Sequence, residues 1–467
     1  MPLPDLIEIV PLDKPVTAEI TVPGSKSITN RALVLAALAE GEVTLEGALW
    51  SEDTQVMVDC LQRLGFDVRV EPDPNEFCNR TITVRGRGGE IPNAGTAEKP
   101  LELFVGNAGT AARFLSAMVC LGQGVYRLSG VPRMHERPQA ALFNALRELG
   151  YRVDSPNDKL PAVIHGSGRD AFHRVPDRSN GEAVERVPAV RRCRVSIEES
   201  SQFASALLLC AGRGGWQIEV TGENAEESPY VAMTKALIFS FGARKGHFRI
   251  EPDASSGSYF LAAALLAPSV SLKPVATKLP EGREFTPREV RKFSTIAVMD
   301  WPDTGWQADQ KFADVGSMGN TISRKTELGD SIMTAIVLAA SGPHVTSFTD
   351  LGRLRLQECE RVVALRTELT RCGAEVLEQG DTLTVFPSAH KLHGAEIETY
   401  NDHRMAMCFA VLGLKVPGIK LRNPSCVKKT FPNFFQKLAA APPQGLGVEI
   451  RDGHTAGKLS HDELFAE

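Results

Sequence analysis

The chain has 467 residues, 43% of them hydrophobic and 23% charged, with a formal net charge of −5. That length allows two or three domains with full cores, and the negative balance argues against a nucleic-acid binder, which needs a cationic surface. Nine scattered cysteines without a C-x-x-C pair read as small buried hydrophobes in a reducing cytoplasm. No secretory signal pattern or long apolar run occurs, so no membrane contact is expected.

Residues 7–22 alternate as a strand, and Pro23-Gly24 then turns the chain into a helix opened by Ser25, Lys26 and Ser27. A helix N-terminus carries about half a positive charge and unpaired N–H donors, so it attracts phosphate or carboxylate. Lys26 and Arg31 stand there against the dipole preference and are expected to face a ligand anion. The pattern returns as G-N-A-G-T-A-A-R-F-L from Gly106, E-S-S-Q-F from Glu199, D-A-S-S-G-S-Y-F from Asp253, G-D-S-I-M-T from Gly329 and N-D-H-R-M-A-M from Asn401. A second helix is expected behind most of these starts. Thr54 opens the first, Pro138 and Pro229 take the first helical position of the next two, and Pro287 is a weaker candidate for the fourth. The fifth begins near Leu356 and the sixth near Thr430. Gly65, Gly150, Gly242 and Gly373 are placed as left-handed C-terminal caps. Short strands are read at 66–70, 81–86, 126–129, 194–197 and 248–251. Residues 166–192 read as a surface excursion, 301–325 as irregular, and everything from Ala440 as a loosely held tail. Internal repetition of two-helix, strand-bearing units follows.

Seven cations lie at or near these helix mouths: Lys26, Arg31, Arg113, Arg137, Arg361, Arg404 and Lys429. One alone would be a solvated surface charge, but repetition points to an anionic ligand. Arg137 is the sharpest case, since it directly precedes Pro138, where a hydroxyl or acidic cap would stabilise the expected helix. Ser200, Ser201 and Ser228 are N-caps or ligand hydroxyls, whereas Gln202 is hard to explain as a cap. Asp330 is an N-cap or an acid/base group, and Glu358 alone would be a solvated helix residue. His403, between Asp402 and Arg404, is the only histidine in a helix-start motif. No metal-ligand spacing, P-loop or dinucleotide fingerprint occurs.

With G-S-K-S-I-T-N-R, G-N-A-G-T-A-A-R, M-H-E-R-P, E-S-S-Q-F, S-P-Y, D-A-S-S-G-S-Y-F, Y-N-D-H-R-M-A-M and K-T-F-P in order, residues 6–438 closely resemble the 5-enolpyruvylshikimate-3-phosphate (EPSP) synthase family, the 3-phosphoshikimate 1-carboxyvinyltransferases. The resemblance implies an α/β (α+β) fold of two similar domains, 24–252 and 1–23 with 253–467, each of three βαβαββ units with helix N-termini facing an interdomain cleft. It implies transfer of the enolpyruvyl group of phosphoenolpyruvate to the 5-hydroxyl of shikimate 3-phosphate by a monomer, without metal or organic cofactor.

Motif by motif, Lys26, Ser27, Arg31, Ser200, Ser201, Gln202, Ser228 and Asp330 resemble the contacts to shikimate 3-phosphate. Lys26, Gly109, Arg137, Gln202, Arg361, Arg404 and Lys429 resemble those to phosphoenolpyruvate. Asn107, Thr110, Arg113, Tyr230 and His403 support them. Asp330 matches the family's proton acceptor and Glu358 its proton donor, with Lys26 a third catalytic group. Gly109 is expected to leave room where phosphoenolpyruvate lies against the backbone. The chain departs from the family's N-x-R-V-K-E as R-L-R-L-Q-E, so a helical stretch would put Arg353 and Gln357 on one face, with Arg353 supplying the cation for the 3-phosphate. Two alternatives stay open: a UDP-N-acetylglucosamine enolpyruvyl transferase, and a catalytically weak anion-binding paralogue.

Overall fold

The structure, a computed structural model, describes residues 3–167, 191–222, 228–243, 246–272, 277–278, 284–285, 290–292 and 294–467. It divides into two compact units, one of residues 23–251 with 304–307, the other of 1–22, 252–303 and 308–467. Pro287 and most of the expected 166–192 excursion lie outside the described residues.

Each unit is built on three buried helices. In the 23–251 unit these are Lys26–Leu38, Gly109–Met118 and Ser201–Gly214, which pack on one another. Small and apolar residues dominate their sequences, and every residue of Gly109–Met118 is buried. A helix with no polar face has no solvent side to keep, so it becomes the core itself. Each large apolar side chain fully buried there contributes about 1.5–3 kcal/mol. In the other unit Ala254–Leu266, Ile332–Ala339 and His403–Gly413 play the same part, and all eleven residues of His403–Gly413 are buried.

Each of the six helices accompanies a parallel strand pair, as a parallel ladder requires a long crossover. Four pairs are contiguous in sequence, for example Leu101–Phe104 with Gln123–Ser129 across Gly109–Met118. Antiparallel strands Ala162–Ser167 and Arg152–Asp154 complete that sheet. The other two pairs are exchanged. Glu40–Leu49, which follows the first helix, takes as its parallel partner His247–Arg249 from the far end of the unit. Thr17–Ile20, which precedes the first helix in sequence, instead pairs with Thr295–Val298. The segment after His247–Arg249 reaches the first helix start, where Ser25 N–H donates to the Glu251 carbonyl at 2.9 Å. Gly24 is obligatory beside it, because a Cβ there would collide with the Gly47 carbonyl oxygen.

Several local expectations are corrected. Residues 7–22 form two strands, Leu6–Ile9 and Thr17–Ile20, because Pro11 and Pro15 interrupt the run. Thr54 is the third residue of Glu52–Arg63, not its start; Ser51 is the N-cap, and its N–H donates to the Thr54 hydroxyl at 2.9 Å. Gly65, Gly150 and Gly373 have positive φ, whereas Gly242 lies inside Pro229–Ala243. The fifth and sixth second helices begin later than expected, as Arg361–Arg371 and Phe434–Ala439, each behind a 3-10 turn. The irregular 301–325 stretch carries the 3-10 turn Ala308–Ser317, and Trp306 stacks on Phe248 with centroids 6.2 Å apart.

The expected loose tail is also corrected. Ile450–Asp452 pairs antiparallel with Leu6–Ile9, and Leu446, Val448, Leu459, Leu464 and Ala466 are buried. Ala466 N–H donates to the Pro432 carbonyl at 3.0 Å. Polar composition signalled a tail, but one apolar residue every few positions is enough to hold it down.

Candidate active site

In the 23–251 unit the Lys26–Leu38 and Gly109–Met118 helices start without a side-chain cap, and neither has an acidic residue in its first turn. Their leading N–H groups therefore keep their preference for an anion. Lys26 Nζ lies 3.2 Å from Asp53, a residue the sequence did not single out. Arg31 does not sit at the helix mouth as expected. It is 2% exposed, with Nε donating to Thr234 at 2.7 Å, Nη1 to the Ser27 carbonyl at 2.8 Å and Nη2 to Ser205 at 3.1 Å. Its guanidinium lies 5.2 Å over the Phe114 ring. Among the described residues no carboxylate pairs with it, and burial pushes its pKa down to about 10.

Gly109 brings two more guanidiniums to a helix start. A Cβ on it would lie 2.5 Å from Arg113 Nη1 and 2.7 Å from Arg137 Nη2, so the room its missing side chain leaves is taken by arginines. Arg113 donates to the carbonyls of Gly109 at 3.0 Å and Pro138 at 3.1 Å, and Arg137 donates to the Asn107 carbonyl at 3.3 Å. Arg137 does not precede a helix. It ends the short helix Pro132–Glu136, and the next helix, Ala140–Glu148, begins two residues beyond Pro138. The expected conflict with a helix dipole is therefore absent, since a cation at a C-terminus is favourable.

Ser200 does cap Ser201–Gly214, accepting from Gln202 N–H at 3.2 Å, while Gln202 Nε2 donates to Thr110 at 3.4 Å. Ser201 is buried in the first turn of that helix. Ser228 is buried, and its hydroxyl has no partner among the described residues. The Tyr230 carbonyl accepts from Thr234 at 2.7 Å, which braces the hydroxyls around Arg31.

In the other unit three helix starts are filled by the chain's own carboxylates. Asp253, Glu360 and Asp402 cap Ala254–Leu266, Arg361–Arg371 and His403–Gly413, accepting at 2.8, 2.6 and 2.9 Å. The remaining acids and cations form one linked series. Asp330 accepts from Arg324 at 2.7 Å and lies 3.2 Å from Arg404. Asp402, which caps the Arg404 helix, accepts from Arg361 Nε at 2.6 Å. Arg361 also donates to Glu358 at 2.8 Å, and Glu358 lies 3.0 Å from Lys429. Asp330 is thus an ion-pair partner, and the N-cap position beside it belongs to Ser331. Burial alone would raise the Asp330 carboxyl, but Arg404, Arg324 and Arg361 together hold it well below the usual carboxylate range. Burial would lower Arg361, yet Asp402, Glu358 and Asp330 hold it above its ordinary value.

Glu358 is not on a helix and its side chain is 11% exposed, so it is no solvated helix residue. The shared helical face expected for Arg353 and Gln357 does not form. Gly352–Leu356 is a 3-10 turn, Gln357 closes it outside helical geometry with φ −93° and ψ −140°, and Gln357 Oε1 accepts from Arg361. Arg355 is held by Glu360, Glu378 and Asp381. His403 is buried with Nδ1 3.8 Å from Asp402. Arg324, Asp53 and Asp402 are the members that sequence reasoning missed as site residues. Asp402 carried a signal in its cap position, but Arg324 carried none. Among the described residues no cluster of His, Cys, Asp and Glu could hold a metal ion, and no helix is long and apolar enough to cross a membrane.

The family model of EPSP synthase (3-phosphoshikimate 1-carboxyvinyltransferase) matches residues 11–438. The 3-phosphoshikimate 1-carboxyvinyltransferase of Trichormus variabilis is 35% identical over 459 residues, covering 93% of this chain and 98% of its own. That of Opitutus terrae is 37% identical over 488 residues, covering 96% and 100%. Among solved structures, an EPSP synthase from Acinetobacter baumannii has a TM-score of 0.61 at 20% identity, covering 96% of this chain and 100% of its own. The enolpyruvyl transferase NikO from Streptomyces tendae has a TM-score of 0.59 at 15% identity, covering 97% and 99%. These two likenesses speak for the fold, and the sequence matches speak for the family: the chain belongs to the EPSP synthases, the 3-phosphoshikimate 1-carboxyvinyltransferases.

Proposed function

We propose that this protein transfers the enolpyruvyl group of phosphoenolpyruvate to the 5-hydroxyl of shikimate 3-phosphate, releasing phosphate, in the route to chorismate and the aromatic amino acids. One observation carries the reading beyond the family match: two helix starts in the 23–251 unit are left uncapped, with Lys26 and Arg137 beside them, while Ala254–Leu266 and His403–Gly413 in the other unit are capped by Asp253 and Asp402. A buried guanidinium without a carboxylate is costly unless an anion completes it. Three of Arg31's five N–H groups are used, so two remain for a ligand.

In this reading Lys26, Ser27, Arg31, Ser200, Ser201, Gln202 and Ser228 serve shikimate 3-phosphate, with Arg353 and Gln357 as further candidates. Lys26, Gly109, Arg137, Gln202, Arg361, Arg404 and Lys429 serve phosphoenolpyruvate. The 5-hydroxyl adds to C2 of the enolpyruvyl unit while its proton passes to Asp330, and Glu358 delivers a proton to the methylene carbon. The adduct then returns a methyl proton to the Glu358 carboxylate and breaks its C2–O bond to phosphate, which leaves with the proton held on Asp330, so the double bond is restored. Lys429 and Arg361, on either oxygen of Glu358, stabilise its anion once the proton has left. The enzyme works as a cytoplasmic monomer.

A phosphate-release assay on the purified protein tests this. Phosphate should appear with phosphoenolpyruvate and shikimate 3-phosphate together. Release with UDP-N-acetylglucosamine instead would make it the other transferase, and release with neither acceptor would leave an anion-binding paralogue.

A further inference from the structure

Asp330 is held from two sides. Its Oδ1 accepts from Arg324 Nη2 at 2.7 Å, and its Oδ2 lies 3.2 Å from Arg404 Nη2. Arg324 follows the strand Thr321–Ser323, its N–H donates to the Thr349 carbonyl at 3.1 Å, and 8% of its side chain is exposed. Arg361 also acts on Asp330, and Asp309, from Ala308–Ser317, accepts from the neighbouring Ser331 N–H at 2.8 Å. Arg404 in turn faces Tyr259, Asp309 and Asp253.

A carboxylate with a guanidinium on each oxygen takes a proton only after one of them lets go. The two arginines differ in what could draw them away. Arg404 stands in the first turn of His403–Gly413, in the motif that resembles the contacts to phosphoenolpyruvate, so an incoming anion competes for it. Arg324 is fixed by its strand and belongs to none of the family motifs. We propose that Arg324 is a positioning residue for Asp330, holding Oδ1 so that Oδ2 is the oxygen that accepts the 5-hydroxyl proton when Arg404 turns to substrate. The O–H bond breaks, its electron pair forms the bond to C2, and the proton rests on Oδ2 until phosphate departs with it. The inference rests on the function proposed above.

The test is the pH profile of Arg324→Gln and Arg324→Lys. Losing the cation should lower kcat about 10- to 100-fold through misplacement of the base and raise the acid limb of kcat/KM by about one pH unit or more. The loss should appear mainly in kcat rather than in either KM, as expected of an interaction that acts on the base in the transition state. Arg324→Lys should return the acid limb towards that of the wild type. A carbon-13 titration of the Asp330 carboxyl should move the same way in the absence of turnover. An active wild type with an Arg324→Gln variant of unchanged kcat and pH profile would refute the assignment alone. So would a variant whose KM values and melting temperature collapse together without rescue by lysine. A wild type that releases no phosphate from these substrates would refute the functional reading and this assignment with it.

Discussion

Gly109→Ala puts a methyl group against the two guanidiniums at the start of Gly109–Met118. The added carbon would lie 2.5 Å from Arg113 Nη1 and 2.7 and 2.9 Å from the terminal nitrogens of Arg137. Ordinary contact needs about 3.5 Å, so these groups must retreat by about 0.6–1.0 Å. Arg113 is held by two carbonyls and lies 5.9 Å over the Phe203 ring, whereas Arg137 has one long bond to the Asn107 carbonyl. Arg137 should therefore yield. A lost charge-assisted hydrogen bond costs about 1.5–3 kcal/mol, which corresponds to a rise of about tenfold to a hundredfold in the KM for phosphoenolpyruvate. The KM for shikimate 3-phosphate should change little. Stability should change little as well, because alanine is a better helix former than glycine by about 1 kcal/mol and offsets part of the crowding. Steady-state kinetics with each substrate varied in turn, together with a thermal melt, measures all three. A phosphoenolpyruvate KM within about twofold of the wild type would refute the reasoning, since the guanidiniums would then move at no cost.

Asp330→Asn should destabilise the protein by about 3 kcal/mol at pH 7, the usual cost of breaking a largely buried ion pair. Because the Asp330 carboxyl is held low in the fold, the unfolded chain binds more protons in acid. Its stabilisation is therefore whole above about pH 4 and is lost as pH falls through the folded value, so urea titrations should show the gap to the variant narrowing only below that point. Tyr400→Phe removes the 2.8 Å bond to Glu368 that steadies Tyr400 and Asn401, both at positive φ just before Asp402. It should cost about 1 kcal/mol and raise the KM for phosphoenolpyruvate through Arg404, whereas a melt and kinetics equal to the wild type would sink that link. Deleting residues 440–467 strips Leu446, Val448, Ile450, Leu459 and Leu464 from the core. At about 1.5–3 kcal/mol each the loss is near the whole stability of a domain, so the truncated chain should be insoluble; a soluble product with a wild-type urea midpoint would restore the loose-tail reading.

The sequence by itself carried the periodic features. Six helix starts were readable because each is a run of small apolar residues behind a polar turn, and local rules decide where such a helix begins. Lys26, Gly109, Arg404 and the family followed from the same motifs. Pairings between distant segments were not readable. Nothing in residues 17–20 says that they will run beside 295–298, or that 247–249 will complete the sheet of the first helix. Side-chain direction was equally hidden. Arg31 and Arg137 were both read as cations at a helix mouth, yet one is turned into the core among hydroxyls and the other closes the preceding helix. Glu358 and Gln357 were placed on a helix that starts only at Arg361. Arg324 gave no signal because its importance lies in one contact with Asp330, six residues away, made when a strand end and a helix start are brought together. Local propensity is a property of neighbours along the chain, whereas the ionisation of Asp330 depends on charges from 324, 361 and 404, which only the tertiary fold assembles.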